Sequence, residues 1–178
     1  PDHGTEIDPF SAGTISVIRG AAGVRYGPDA MGGVVLIEPP PLRSKVGVGG
    51  TGLLAFQSNG LRPFGAFRMD MVPETAERLT IRVEGNVARG ANRTTPGYVL
   101  GNTASSTWNV GSRLGYWWDT GTFEAAWHRH HFDAGIFYGV QSSSPQAFKA
   151  QLDQDRPPTA DLWTQTYRID RPKQQVTH

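Results

Sequence analysis

Apolar and polar residues alternate along much of the chain beyond Ser44, and this alternation predicts β-strands. Successive side chains of a strand point to opposite faces of its sheet, so a half-buried strand has a period of two. In the clearest segment, Ile81, Val83 and Val87 lie on one face, opposite Arg82, Glu84 and Asn86. Strand-like segments cover residues 46–57, 61–72, 78–89, 107–118 and 122–133, and none shows a sustained helical period.

Aromatic residues follow the same alternation in the last two segments. One face carries Trp108, Val110, Leu114, Tyr116 and Trp118 opposite Asn109, Arg113 and Trp117, and then Phe123, Ala125 and Trp127 opposite Glu124, Ala126 and His128. Aromatic side chains near strand ends are typical of the girdles of membrane β-barrels.

The connections between the predicted strands differ in length. Those around 58–60, 73–77 and 119–121 are short, whereas 89–106 and 134–172 are long and polar. Transmembrane barrels have short turns on one side and long loops on the other, and about 9–11 residues of tilted strand cross a bilayer. A soluble β-sandwich also alternates and also has uneven loops, so both architectures stay open on periodicity alone.

The first part of the chain has a different sequence pattern, with short apolar runs separated by glycine and proline. Ile15–Ile18 and Val34–Ile37 are short β-branched runs that predict two strands, and the glycine-rich stretch between them could hold one helical turn. Three prolines at 39–41 end the second run, because proline donates no hydrogen bond to a sheet. We therefore place a boundary here, between residues 1–43 and 44–178.

Composition narrows the class of protein. The 178 residues include 22 glycines, 13 prolines and no cysteine, which excludes disulfide frameworks, zinc–thiolate sites and cysteine nucleophiles. Seventeen basic and 16 acidic residues give a formal charge of +1, which argues against a nucleic-acid partner. No apolar run reaches the ~18 residues of a membrane helix. Barrel strands remain compatible with the mean hydropathy of −0.39, since they alternate.

The first segment resembles the end of the plug domain of TonB-dependent outer-membrane receptors. The matching residues are Asp8-Pro9-Phe10, Ile15-Ser16-Val17-Ile18-Arg19-Gly20, Tyr26-Gly27, Ala30 and Gly32-Gly33-Val34-Val35. Ser16 and Glu38 depart from the family, which often has glutamate and asparagine there. The resemblance implies a mainly β fold, in which 1–43 is the C-terminal part of an α+β plug. Residues 44–178 would then form antiparallel N-terminal strands and outer loops of an incomplete transmembrane β-barrel, with a sixth strand from Gln174.

The same resemblance implies a function. Such receptors sit in the outer membrane of Gram-negative cells, among its lipids, and import a scarce nutrient such as a ferric siderophore, cobalamin or another metal chelate. The metal chelate is cargo, and no resident cofactor or enzymatic activity is implied. Energy comes from the TonB energy-coupling protein, whose contact segment would lie upstream of residue 1.

The motif residues carry the roles that the resemblance implies. We expect Arg19, Gly20, Tyr26, Gly27, Gly32 and Gly33 to have structural or gating roles in the plug. Arg19 would form a charge-assisted link from the plug to the barrel wall, although a surface arginine at a strand end is the alternative. Independently of the family, the glycines mark points of tight turning or close approach, and their spacing fits no nucleotide-binding loop.

The sequence offers few candidate residues for ligand binding or catalysis. Arg62, Arg89 and Arg93 lie near predicted outer loops, where they could meet an anionic ligand or lipopolysaccharide or simply be solvated.

The remaining candidates for ligand binding are His128 and His130. His128 and His130 share a strand face with Glu124, and His131 points away, so we expect a polar lining and no metal site. No catalytic constellation is present. The alternative function is a soluble or secreted β-rich module that binds glycans on its tryptophans.

Overall fold

The computed structural model describes residues 10–27, 32–137, 144–154, 165–169 and 173–177, and the structure is mainly β. Its elements, in chain order, are β1 (Thr14–Ile18), a 3₁₀ helix (Gly20–Tyr26), β2 (Val34–Glu38), β3 (Gly47–Gln57), β4 (Arg62–Val72), β5 (Leu79–Gly90), β6 (Ser105–Trp118), β7 (Gly121–Gly135), α1 (Pro145–Leu152) and β8 (Lys173–Thr177).

The N-terminal segment forms a small two-stranded sheet. β1 pairs with β2 in antiparallel register, with Ile15 opposite Ile37 and Val17 opposite Val35. The 3₁₀ helix fills the glycine-rich stretch between them. Both strands and the helical turn agree with the sequence prediction, because β-branched runs bounded by glycine and proline leave few other choices.

A six-stranded antiparallel sheet contains the rest of the strands, in the order β3-β4-β5-β6-β7-β8. Each strand is hydrogen-bonded to the next one along the chain. The five predicted long strands are confirmed to within two residues at each end, and the sixth begins at Lys173, one residue before the predicted Gln174.

The alternating strand directions sort the connections into two ends of this sheet. The end that contains Gln57, Gly90 and Gly135 carries the turn at 58–61 and both long connections, 91–104 and 136–172. We call it the loop end. The opposite end carries only 73–78 and 119–120, and we call it the turn end.

The helix α1 was not predicted from the sequence. It is eight residues long and begins with Pro145, whose fixed φ suits the first helical position. The Phe148 N–H donates to the Ser144 carbonyl at 3.0 Å. A helix of two turns is too short to show a sustained period, so the pattern of apolar residues gave no sign of it. No helix in the described ranges is long and apolar enough to span a membrane.

Candidate functional site

The two faces of the large sheet differ sharply in chemistry. One face, which we call the open face, carries apolar side chains that remain exposed: Val48, Leu54, Phe56, Phe67, Met69, Met71, Val83, Val87, Val110, Leu114, Tyr116, Trp118, Phe123 and Trp127. Leu54 is 88% exposed. The other face, which we call the covered face, lies against the N-terminal segment and carries Arg68, Asp70, Thr80, Arg82, Glu84, Asn86, Asn109, Arg113, His128 and His130.

Burial on the covered face is largely polar. Arg82 is 2% exposed and Thr80 is fully buried. In contrast, Val83, which is on the open face of the same strand, is 37% exposed. Arginine is seldom fully buried unless it is paired. The sheet therefore reverses the usual distribution, with its polar side inside and its apolar side outside.

Arg82 is the centre of the contacts between the sheet and the N-terminal segment. Its Nε and Nη2 donate to the two carboxylate oxygens of Asp70 at 2.6 and 2.8 Å. Its Nη1 donates to the Pro40 carbonyl at 2.7 Å, and Nη2 also donates to the Pro41 carbonyl at 2.9 Å. The bidentate pair fixes the plane of the guanidinium, and the remaining donors hold residues 39–43, which we call the strap.

Two further polar contacts attach the N-terminal segment to the covered face. The Thr80 hydroxyl donates to the Arg43 carbonyl at 2.6 Å, and Arg68 Nη2 donates to the Phe10 carbonyl at 2.6 Å. Arg68 Nε also pairs with Glu84 at 2.9 Å. All of these donors are side chains of the sheet, and the acceptors in the N-terminal segment are main-chain carbonyls.

A row of polar side chains continues across the covered face from Glu84. His128 Nδ1 lies 3.8 Å from Glu84 Oε1. Asn109 Nδ2 donates to Asn86 Oδ1 at 2.8 Å, and Asn109 Oδ1 is hydrogen-bonded to His130 Nδ1. A cavity of about 200 Å³ opens beside this row, lined by Phe10, Ser11, Thr51, Arg68, Glu84, Asn86, Asn109 and His128, among others.

Gly111 gives His128 the space to approach Glu84. A Cβ at this position would lie 2.5 Å from His128 Nδ1 and 3.4 Å from Glu84 Cγ. The wall of the cavity therefore depends on the absence of a side chain at Gly111 as well as on the polar groups around it.

The histidines lie as the alternation predicted. His128 and His130 are on the covered face, and His131 is on the open face, where its ring stacks on Trp108 with centroids 5.4 Å apart. Glu124 pairs with Arg113 at 3.5 Å. Within the described ranges, no group of three or more acidic or histidine side chains is placed to hold a metal ion.

Arg62 and Arg93 lie at the loop end, apart from the histidines. Arg62 Nη1 donates to Gln57 Oε1 at 3.5 Å, and its aliphatic stem lies over Gly90. The main-chain N–H of Arg93 donates a hydrogen bond to the Thr103 hydroxyl at 2.7 Å. The structure thus does not bring Arg62 and Arg93 into one site with His128 and His130.

The motif residues of the N-terminal segment have local conformations that partly match the prediction. Gly20, Gly27 and Gly33 have φ angles of 71°, 123° and 127°, which favour glycine. Gly32 has neither a positive φ nor a close neighbour among the described residues, and its role as a point of tight turning or close approach stays a prediction.

Arg19 and Tyr26 are exposed. None of the ion pairs found among the described residues includes Arg19. Its role as a link to the barrel wall stays a prediction, and Arg68 and Arg82 make the links that the structure shows.

Sequence reasoning missed Arg68, Asp70 and Arg82 as the residues that hold the N-terminal segment. A signal was available, because the short 73–78 connection sets the register between β4 and β5. That register places Asp70 opposite Arg82 and Arg68 opposite Glu84, two pairs of opposite charge on one face. The carbonyl partners in the strap had no comparable signal.

The structure therefore defines a mainly β protein whose sheet is apolar outside and polar beneath its own N-terminal segment. Comparisons with protein-family models, with curated proteins and with solved structures find no match.

Proposed function

We propose that the chain is part of a TonB-dependent outer-membrane receptor, comprising the end of the plug and the first strands of the barrel. One observation carries the proposal. The large sheet exposes an apolar face and covers its polar face with the segment that contains the plug-like motif. A lipid-facing barrel wall around a plug requires this arrangement of faces.

The open face needs an apolar environment. Monomeric soluble proteins rarely expose a large continuous apolar patch, and this one extends over all five long strands. Strands β3 to β7 contain 11 to 15 residues, enough to cross a bilayer when tilted. Both long connections lie at one end, as the outer loops of such a barrel do.

The covered face supports the second half of the proposal. The segment with the motif from Ile15 to Val35 precedes the strap, and the strap is held by Arg82 and Thr80. A polar wall beside a cavity suits the passage of a polar cargo between plug and barrel. The mechanism is binding and gated transport of a chelate such as a ferric siderophore or cobalamin, driven through TonB from the inner membrane of a Gram-negative cell.

A glycan-binding module is the second candidate, and one observation favours it. Tyr116, Trp118, Phe123 and Trp127 are exposed together on the open face, where sugar rings could stack. The same face offers few hydrogen-bonding side chains for sugar hydroxyls. The first experiment separates the two candidates.

The experiment uses a matched pair of alanines that are neighbours in β7. Ala125 lies on the open face and Ala126 on the covered face, and both are exposed. In the full-length gene product, Ala125→Arg would place a charge in lipid, at a cost of about 2–4 kcal/mol near the bilayer centre, whereas Ala126→Arg would not. We expect the wild type and A126R in the outer-membrane fraction and A125R to be depleted from it.

Equal amounts of A125R and A126R in that fraction, or a wild type that is soluble without detergent and melts cooperatively, would contradict a lipid-facing sheet and favour the glycan-binding module.

Transport is tested separately from membrane residence. Cells that carry or lack the gene are offered labelled iron as hydroxamate and catecholate chelates, and labelled cyanocobalamin. We expect gene-dependent uptake of one of them that stops when a protonophore removes the energy source. Uptake that continues unchanged after protonophore treatment would contradict coupling to TonB.

A further inference from the structure

Charged residues and histidine on the open face of β3 to β7 are confined to the half of each strand nearer the loop end. They are Arg89 in β5 and Arg129, His131 and Asp133 in β7. The rest of this face in β3 to β7 is apolar, glycine or serine.

Each of these arginines lies against an aromatic ring. The Arg129 guanidinium carbon is 5.6 Å from the centroid of the Trp108 ring, and that of Arg89 is 5.5 Å from the centroid of the Tyr167 ring. A guanidinium over a ring face keeps its N–H donors available at its edge.

The two arginines differ in their partners from Arg68, Arg82 and Arg113 of the covered face. Each of these three is paired with a carboxylate. In contrast, no ion pair within the described ranges includes Arg89 or Arg129. The carboxylate of Asp133 lies 3.5 Å from His131 Nε2, so it is directed to the histidine.

We propose that Arg89 and Arg129 each bind the phosphate of an anionic lipid headgroup in the loop-end half of the open face; this rests on the proposed function. Guanidinium groups bind phosphate through paired, charge-assisted hydrogen bonds. Val87 and Val110 continue the apolar surface toward the turn end, where the acyl chains of the same lipid would lie. This continuity favours a lipid over a free anion.

Trp108 has a positioning role in this site. Its ring is stacked on His131 on one side and lies beneath Arg129, so it fixes the arginine at the edge of the apolar surface. Tryptophan and tyrosine are enriched at the boundary between acyl chains and headgroups of a membrane.

The test uses the purified full-length protein in nanodiscs that contain phosphatidylcholine with or without phosphatidylglycerol. Lipid retained after transfer to a non-ionic detergent is measured by native mass spectrometry. The variants are Arg89→Gln, Arg129→Gln and the double variant. Arg78→Gln is the control, because Arg78 is also exposed but is paired with Asp119 at the turn end.

We expect the wild type and R78Q to retain phosphatidylglycerol in preference to phosphatidylcholine. The double variant should lower this preference about tenfold, as the loss of a charge-assisted interaction at each lipid implies, and each single variant should lower it less. An unchanged preference in the double variant would overturn the proposal, as would displacement of phosphatidylglycerol by millimolar inorganic phosphate.

The outcome is distinguishable from failure of the proposed function. If A125R is depleted from the outer membrane as expected and the double variant still prefers phosphatidylglycerol, only the headgroup site is overturned. If A125R and A126R are present in equal amounts in the outer-membrane fraction, the proposal of a lipid-facing sheet is overturned, and the proposed headgroup site is overturned with it.

Discussion

Arg82 shows how a single charged side chain can hold two parts of this protein together. It is buried to 2% exposure and uses its donors on the Asp70 carboxylate and on two carbonyls of the strap. Removing one partner of a buried pair leaves the other charge desolvated and unpaired, which costs far more than the pair contributes. The position should therefore be among the most sensitive in the sheet.

Arg82→Met should lower the free energy of unfolding by about 3–5 kcal/mol, because Asp70 and the strap carbonyls lose their partner. Arg78→Met is the matched control and should change it by less than about 1 kcal/mol, since Arg78 and Asp119 are 57% and 85% exposed. Urea unfolding in detergent micelles, followed by tryptophan fluorescence, measures both.

The double variant Asp70→Leu/Arg82→Met separates pairing from packing. Its loss should be clearly smaller than the sum of the two single losses, because no unpaired charge remains. Strict additivity would show that the pair is not coupled.

At the scale of the elements, Gly115 leaves space for the Leu42 side chain of the strap. A Cβ there would lie 2.5 Å from Leu42 Cδ1 and 2.8 Å from a ring carbon of Trp117. Gly115→Ala should displace the strap and speed tryptic cleavage after Arg43 or Lys45 several-fold.

Gly52→Ala is the control for this cleavage, since its Cβ would meet nothing closer than 3.8 Å. Mass spectrometry of a cleavage time course measures both variants. Equal rates for the two would show that Leu42 adjusts without moving the strap.

The elements also show what the sequence could predict and what it could not. The long strands followed from alternation, and the register of β4 with β5 was within reach because a short turn joins them. The strap contacts depend on where residues 39–43 cross the sheet, which no local pattern records. Helix α1 is too short to show a helical period in the sequence. The motif led us to expect Arg19 as the link between the N-terminal segment and the sheet, whereas Arg68 and Arg82 make the hydrogen bonds to that segment.

At the scale of the whole molecule, the sheet has two edges. β3 pairs only with β4, and β8 pairs only with β7, within the part of the chain that the structure describes. Unpaired strand edges are templates for association, and here they combine with an exposed apolar face.

The 178-residue chain, expressed alone, should therefore associate in detergent-free buffer and disperse in detergent. Size-exclusion chromatography with light scattering measures the mass under both conditions. A monomer without detergent would contradict the proposed barrel wall and agree with the glycan-binding module.

The contacts of the strap also determine which positions can change together. Arg82 and Thr80 donate to main-chain carbonyls of residues 40, 41 and 43, and every amino acid supplies such a carbonyl. The side chains at 40 and 41 are thus free to diverge, provided that the backbone stays extended. Asp70 and Arg82 have no such freedom, because a change in one must be matched by the other. Related sequences should show a variable strap beside an invariant or jointly exchanged pair.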